Sequence, residues 1–495
     1  VASLLRRLPF AVLAATLLIA GGASAAAPEP VVRGNEIIDS ATSEVFVPHG
    51  VDFPGFEYAC QQGWGYGPDG TAPAEIGATA AAIASWNVNT VRLPLNEDCW
   101  LGRNGLPKGA SFTVNGYRQA VEKFVDGLND AGIVAILDLH WSNPDGAVAD
   151  GLRPMPDQGA PEFWSSVAAR FKDYRSVIFD LFNEPHSRWN SNGSKVFGLT
   201  WNCWAVGGCQ APAEPDTAAT SGSSWYATVG MDQLTKTVRA AGATQPIILS
   251  GIDYANDLRG WLANAPHDSQ LIAGFHNYPG QRCHTNECWE AEIATLNQKV
   301  PVLTAEFGQN DCGDPGHVTR YMDWADSQRI GYLAWAWWDL PVEGCHNYAL
   351  VSDLDGTPLA PVGTALHDHL LSLPDVLPKP PDPVAPRLVV KTARWNGRNL
   401  QIRISTSPKV ALPLAAKVRL ARNPRDRRRP RTGNRLISRR LRVVSGSAAV
   451  RIAIPVGLKP TMLTVSYPGD SRFTARTVKR RPTSVSKVTR RRHRG

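Results

Sequence analysis

The sequence predicts a closed (β/α)8 TIM barrel of the α/β class, followed by a small all-β sandwich. Three observations predict it. Eight short apolar runs alternate with helix-like segments between residues 45 and 338, a proline-rich stretch interrupts the chain near 373, and beyond it the hydrophobic period changes to two.

The apolar runs fall at residues 45–51, 90–93, 134–139, 177–182, 246–249, 271–275, 302–305 and 331–337. Short unbroken apolar runs followed by loop residues are what strands buried on both faces look like. Between several of them lie amphipathic segments, such as 117–131 and 162–171, and Val121, Phe124, Val125 and Leu128 share one helical face. Eight such units close into a barrel. The competing architecture is a doubly wound open sheet, and the first strand is followed by no glycine-rich phosphate loop, which weighs against it.

Residues 373–386 form a proline-rich linker, extended and semi-rigid. After it, Leu400-Gln-Ile-Arg-Ile, Ala449-Val-Arg-Ile-Ala-Ile and Met462-Leu-Thr-Val-Ser-Tyr alternate as half-buried strands do, with Pro468-Gly-Asp as a turn. The expected organisation is therefore a barrel over 26–372, the linker, a basic β-sandwich over 387–478 and a disordered basic tail over 479–495.

Composition excludes collagen-like, coiled-coil and wholly disordered chains: of 495 residues 43% are apolar, 19% are charged and 16 are Trp. The formal charge of +8 hides a division. Residues 384–495 hold 30 Lys and Arg against two acids, or +28, and the other 383 hold 22 basic and 42 acidic residues, or −20. Two different bodies share one chain.

The first 25 residues read as a secretory signal: Arg6-Arg7, an apolar run over 8–20, and Ala23-Ser24-Ala25 before the expected cleavage point. An uncleaved anchor is the alternative, but the run falls short of the roughly 20 residues a span requires. A secreted, extracellular protein with no membrane span after maturation is expected. Eight cysteines, all ahead of the basic region, fit export. Eight allow 105 pairings. Proximity favours Cys203–Cys209 and Cys283–Cys288, with Cys60–Cys99 and Cys312–Cys345 to follow; His284 beside Cys283 is the one hint of a metal site.

Catalytic side chains of a barrel gather where the strands end. Those positions carry Arg92, His140, Asn183-Glu184, His276 with Tyr278, Glu306, and the Trp335/Trp337/Trp338 cluster. Glu184 and Glu306 each follow an apolar run, the fourth and the seventh. Two carboxyl groups across a barrel mouth suit glycoside cleavage, in which one protonates the leaving oxygen and the other attacks the anomeric carbon.

The stretches Asp180-Leu-Phe-Asn-Glu-Pro-His and Thr304-Ala-Glu-Phe-Gly, with Val91-Arg-Leu-Pro, Leu137-Asp-Leu-His-Trp and His276-Asn-Tyr in the same order, resemble glycoside hydrolase family 5, the cellulase family of the retaining (β/α)8 clan. The resemblance covers residues 45–371. It implies Glu184 as general acid/base, Glu306 as nucleophile and Asn183 as a partner of the sugar 2-hydroxyl. Arg92 would sit by Glu306 and keep it ionised, Tyr278 would donate to it, and His140 and His276 would fix the carboxylates and bind hydroxyls. A Trp should stack beneath the reacting sugar after the eighth strand. Aligning the following Leu340 favours Trp338, with Trp335 and Trp337 as rivals. Trp141, Trp64, Trp100, Trp189, Trp201 and Trp204 are further platform candidates, and His49, Glu57, Asn96, Glu97 and Asp98 are candidates for outer subsites. Residues 465–473 resemble bacterial immunoglobulin-like repeat domains.

The expected activity is that of an endo-β-1,4-glucanase acting as a monomer without metal or organic cofactor. Mannanases, exo-glucosidases and disaccharide-releasing glycosidases of the family are alternatives, as is a non-catalytic carbohydrate-binding barrel. The insert at 189–225 could wall off the cleft and convert endo to exo cleavage. For the +28 region an anionic cell-envelope polymer or acidic polysaccharide is the expected partner, rather than nucleic acid, because the region holds one Trp, Trp395, and the chain reads as exported.

Overall fold

The computed structural model describes residues 26–67, 76–109, 111–144, 146–216, 224–310, 313–339, 348–374, 386–407, 412–423, 436–443, 446–467 and 474–485. The expected signal sequence, most of the linker (375–385), the Pro468-Gly-Asp turn and residues 486–495 lie outside them.

Eight parallel strands close a barrel: β1 (His49–Asp52), β2 (Thr90–Asn96), β3 (Val134–Trp141), β4 (Val177–Asp180), β5 (Ile247–Ser250), β6 (Leu271–Asn277), β7 (Val302–Phe307) and β8 (Gly331–Ala334). They run in sequence order around the ring, with β8 pairing back to β1. All eight expected runs became strands. The first begins later than its apolar run, at His49.

Alternation sorts each strand's side chains. Ala135, Leu137 and Leu139 of β3 join the large core against the helices, and Val134 and Ile136 point into the barrel. There they meet Ile178, Ile248, Ile272, Leu303 and Leu333, and Val32, Ile37 and Phe46 from the N-terminal hairpin and the segment after it close the same cluster. The lower barrel is thus packed with branched apolar side chains. Continuing inward from Val134 and Ile136, the next two positions are Asp138 and His140, so the same register that fills the bottom with hydrocarbon lines the top with polar groups.

Between β4 and β5 the insert forms a short ladder of Arg188–Trp189 with Lys195–Phe197, a helix over Trp201–Val206, and a second ladder of Gly207–Pro212 with Trp225–Val229. Disulfides join Cys60–Cys99, Cys203–Cys209 and Cys283–Cys288. These are three of the expected pairs; Cys312 and Cys345 lie outside the described residues.

After the linker come β9 (Arg387–Trp395), β10 (Asn399–Ser407), β11 (Leu412–Arg422), β12 (Leu436–Val443), β13 (Ser447–Ala453), β14 (Leu458–Tyr467), β15 (Arg476–Arg480) and β16 (Thr483–Ser484). They form two four-stranded sheets, ordered β13-β10-β9-β16 and β12-β11-β14-β15. Leu388, Val390, Leu400, Ile402 and Ile404 of one share a core with Leu414, Val418, Leu463 and Val465 of the other. The tail expected from residue 479 onward is corrected at its start. Lys479 and Arg480 pair with β14, and Thr483 and Ser484 pair with β9. Charge density alone does not exclude a strand whose exposed side chains all reach water.

Candidate active site

Arg92, fully buried on β2, is the hub of the upper barrel. Its Nε donates to Asp180 Oδ2 at 3.0 Å, and its Nη1 to Asp52 Oδ1 at 3.0 Å and to Glu306 Oε1 at 2.8 Å. Nη2 donates to Asn183 Oδ1 at 2.6 Å and lies 3.1 Å from Asp138 Oδ2. One cation cannot offset four carboxyl groups taken out of water. Burial accordingly pushes Asp52 and Asp180 well above the usual carboxylate range and Asp138 up to about 7, against the pull of Arg92.

Glu306 reaches this hub through an irregularity. Along β6 and β7, Phe275 pairs with Thr304 but His276 pairs with Glu306, so β7 carries one residue more than its neighbour. The same extra residue appears against β8, between Thr304 and Phe307. Such a bulge re-aims a side chain. Leu303 faces into the barrel, and strict alternation would turn Glu306 away from it. The bulge brings it back. Tyr278, just beyond β6, then donates its hydroxyl to Glu306 Oε2 at 2.9 Å. Burial, followed by the neighbouring carboxylates, holds that phenol well above its ordinary pKa, so it stays a donor.

Glu184 lies in the loop after β4. His276 Nδ1 is 2.8 Å from Glu184 Oε1 and 3.5 Å from Glu306 Oε2. One carboxyl oxygen from each glutamate and the His276 nitrogen all fall within 4.8 Å of one another. Burial first, and the charge of Glu306 second, push the Glu184 carboxyl well above its ordinary value. Burial and Arg92 depress His276 well below its own, so the ring is neutral. With Glu184 protonated, its hydroxyl donates to the ring nitrogen; in the other tautomer the neutral ring donates to a Glu184 carboxylate. The trio has the donor types of a metal site, but Arg92 and Tyr278 already occupy Glu306. Cys283, Cys288 and Glu292 also cluster, and their sulfurs are bonded to each other.

His140, on β3, contacts Asp138 Oδ2 through Nδ1 at 2.7 Å, and burial lowers its pKa to about 3. Its ring lies parallel to Trp335, centroids 5.4 Å apart, and Trp335 meets Trp338 edge-on at 5.9 Å. Both tryptophans are half-buried. Trp337 is different: fully buried, it packs on Trp86 at 4.8 Å and belongs to the core. Trp141 is the half-buried last residue of β3.

Contacts therefore join Arg92, His140, Asn183, Glu184, His276, Tyr278, Glu306, Trp335 and Trp338 in one network, with Trp141 beside His140 in the chain. Several outer candidates are corrected. His49 opens β1 at the opposite, N-terminal end, where its Nε2 lies 3.2 Å from Asp326. Trp100 and Trp204 are fully buried and cannot be sugar platforms, whereas Trp64 and Trp189 are exposed. Glu57, Asn96, Glu97 and Asp98 are buried as well. Asn96 caps the helix Glu97–Leu101 by accepting from the Cys99 N–H.

Sequence reading missed Asp52, Asp138 and Asp180 as partners of Arg92. Their signal was an acid at an inward position of three apolar strands. It also missed His186, whose Nδ1 donates to the Glu184 carbonyl at 2.6 Å while its ring stacks on Tyr254 at 4.3 Å. Asp216, from the insert, adds a negative charge that raises the Glu184 pKa.

Residues 48–340 match the sequence model of Cellulase (glycosyl hydrolase family 5). Endoglucanase A of Evansella cellulosilytica is 21% identical over 277 residues, covering 53% of this chain and 48% of that protein. Endoglucanase CelA of Streptomyces lividans is 22% identical over 233 residues, 45% of this chain and 42% of that one. The chain thus spans less than half the length of the curated relatives it matches. Among solved structures, a beta-glucanase of Saccharophagus degradans aligns with a TM-score of 0.50 at 18% identity, over 70% of this chain and 94% of that one, a likeness of fold.

Proposed function

The chain belongs to the cellulase family, glycosyl hydrolase family 5, and is a glycoside hydrolase; from that premise we infer that it is an exported retaining β-glycosidase acting as an endo-β-1,4-glucanase. The observation that carries this reading is the pair of glutamates with carboxyl oxygens within 4.8 Å, one held by Arg92 and Tyr278 and the other by His276. Retaining glycosidases place their two carboxyl groups about 5–5.5 Å apart, and inverting ones about 6.5–9.5 Å, to admit a water. The short separation supports double displacement.

In the first step Glu306 attacks the anomeric carbon and forms a glycosyl ester, while protonated Glu184 delivers its proton to the departing sugar oxygen. In the second, the Glu184 carboxylate takes a proton from water as that water attacks the anomeric carbon and frees Glu306. Arg92 and Tyr278 leave Glu306 few rotamers, so the nucleophile is aimed before substrate arrives. Asn183, whose Oδ1 accepts from Arg92, takes the 2-hydroxyl in this reading. The stacking platform is Trp335, packed against His140 at the strand end, in preference to Trp338. Endoglucanase relatives support endo action on β-1,4-glucan.

Digestion of cello-oligosaccharides and of glucan and mannan polymers, with product sizing and NMR of the first-formed anomer, tests the reading. Retained β-configuration and mixed-length glucan products are expected. An α-anomer, or activity unchanged in Glu306→Ala, overturns the mechanism; disaccharide-only release or preference for mannan overturns the specificity.

A further inference from the structure

The basic half of the chain carries a site of its own. On the outer face of the sheet β12-β11-β14-β15 lies a depression of about 820 Å³. Five cations line it: Lys417 and Arg419 from β11, Lys459 from β14, Lys479 from β15, and Arg481 just after it. Lys417 is opposite Thr464, which is opposite Lys479. With strands about 4.8 Å apart, the two lysines stand roughly 10 Å from each other across the sheet. Arg419 sits two residues along the same strand face as Lys417, opposite Met462 and Leu436. The chain then crosses at Arg481-Pro482 to β16, which pairs with β9 at Trp395, so half-buried Trp395 forms a side wall.

Among the described residues no carboxylate pairs with any of the five cations, and the lining contains no acid. Beyond residue 384 the sequence holds only Asp426 and Asp470. Like charges gathered on one face repel one another, and a surface needed only for solubility would mix the two signs. The lining sets Leu436, Pro460 and Met462 among five cations, so an acidic ligand suits it better than a wholly apolar protein segment. A nucleic-acid strand calls for successive aromatic platforms, and here there is one. A single indole face with cations spaced around it suits a sugar ring flanked by acidic groups.

We propose that this depression binds a carboxylate-bearing polysaccharide, with Lys417, Arg419 and Lys479 on successive carboxylates and Trp395 against a ring face. The site would hold the enzyme on an acidic glycan matrix while the barrel works on a neutral chain.

Affinity electrophoresis of the full chain in polygalacturonate, against neutral glucan, polyglycerol phosphate and duplex DNA, tests this. Retardation by polygalacturonate is expected at low salt and should fade as added salt shortens the screening length below about 8 Å. Lys417→Glu/Arg419→Glu should weaken it by about tenfold or more, and Lys417→Gln/Arg419→Gln less but in the same direction. Arg403→Glu/Arg451→Glu, on the exposed face of the other sheet, should change it less than about twofold. Melting curves check each fold; if the glutamate variant melts early, the glutamine variant carries the test. Equal losses in both charge reversals, tighter binding of DNA or polyglycerol phosphate, or no retardation of the unaltered chain would overturn the proposal.

Discussion

Arg92 Nη1 lies 2.8 Å from Glu306 Oε1, and the same guanidinium binds three buried aspartates. This one side chain fixes Glu306 and supplies a positive charge to the buried carboxyl groups around it. Arg92→Lys keeps a charge but loses the fork that reaches five partners. Activity on β-glucan should fall at least about a hundredfold, as misplacement of a reacting group commonly costs. Breaking a buried ion pair costs about 3–5 kcal/mol, so the melting temperature should drop as well. A variant with normal activity would show that Glu306 needs no such support.

Glu184 must be protonated to act as an acid, and its pKa is raised by burial and by Glu306. Activity should therefore persist above the ordinary glutamate range and decline as pH climbs through the raised pKa. In Glu184→Gln that alkaline limb should vanish from kcat/KM, and aryl glycosides with good leaving groups should still be cleaved at the bond-breaking step. Pre-steady-state release of the aryl group reads this directly. Loss of the burst would assign Glu184 another role.

The three tryptophans after β8 should separate by phenotype. Trp335→Ala should lower kcat/KM by about one to two orders of magnitude, the scale of a lost stacking contact of about 1–3 kcal/mol, with little change in melting. Trp337→Ala removes a core side chain and should cost about 3–5 kcal/mol of stability. If Trp338→Ala instead gives the larger kinetic loss, the platform is Trp338.

Glu57 is buried beneath the rim, accepts from the Gly55 N–H at 2.6 Å, and has its pKa raised by burial to about 8. A carboxyl whose folded pKa lies above its unfolded value of 4.5 stabilises fully below that value, and its contribution is lost as pH rises through 8. Glu57→Gln should flatten the decline in melting temperature between about pH 5 and 9, by a few degrees. Parallel curves for the two proteins would mean that Glu57 is ionised throughout.

Much of the barrel was legible because buried parallel strands need continuous apolar runs, and those runs stand out from loop residues at every one of the eight positions. Glu184 and Glu306 stood out as candidates for a related reason: each follows an apolar run, and polar side chains near strand ends gather at the barrel mouth. The outer-subsite candidates failed where that reasoning was extended too far. Glu97 and Asp98 follow β2 just as Glu184 follows β4, but Asn96 caps a short helix there and turns both acids inward.

The succession of strands, the split into an acidic and a basic body, and the choice of Glu184 and Glu306 as candidate carboxyl groups follow from local pattern, since each depends on neighbours in the chain. The aim of Glu306 does not. It hangs on one extra residue in β7 that no periodicity reveals, because alternation by itself sends that side chain outward and only hydrogen-bond register with the two flanking strands turns it back. Likewise the convergence of Asp52, Asp138 and Asp180 on Arg92 needs four strands bent into a ring, where residues 40 to 88 positions apart come within reach of a single guanidinium.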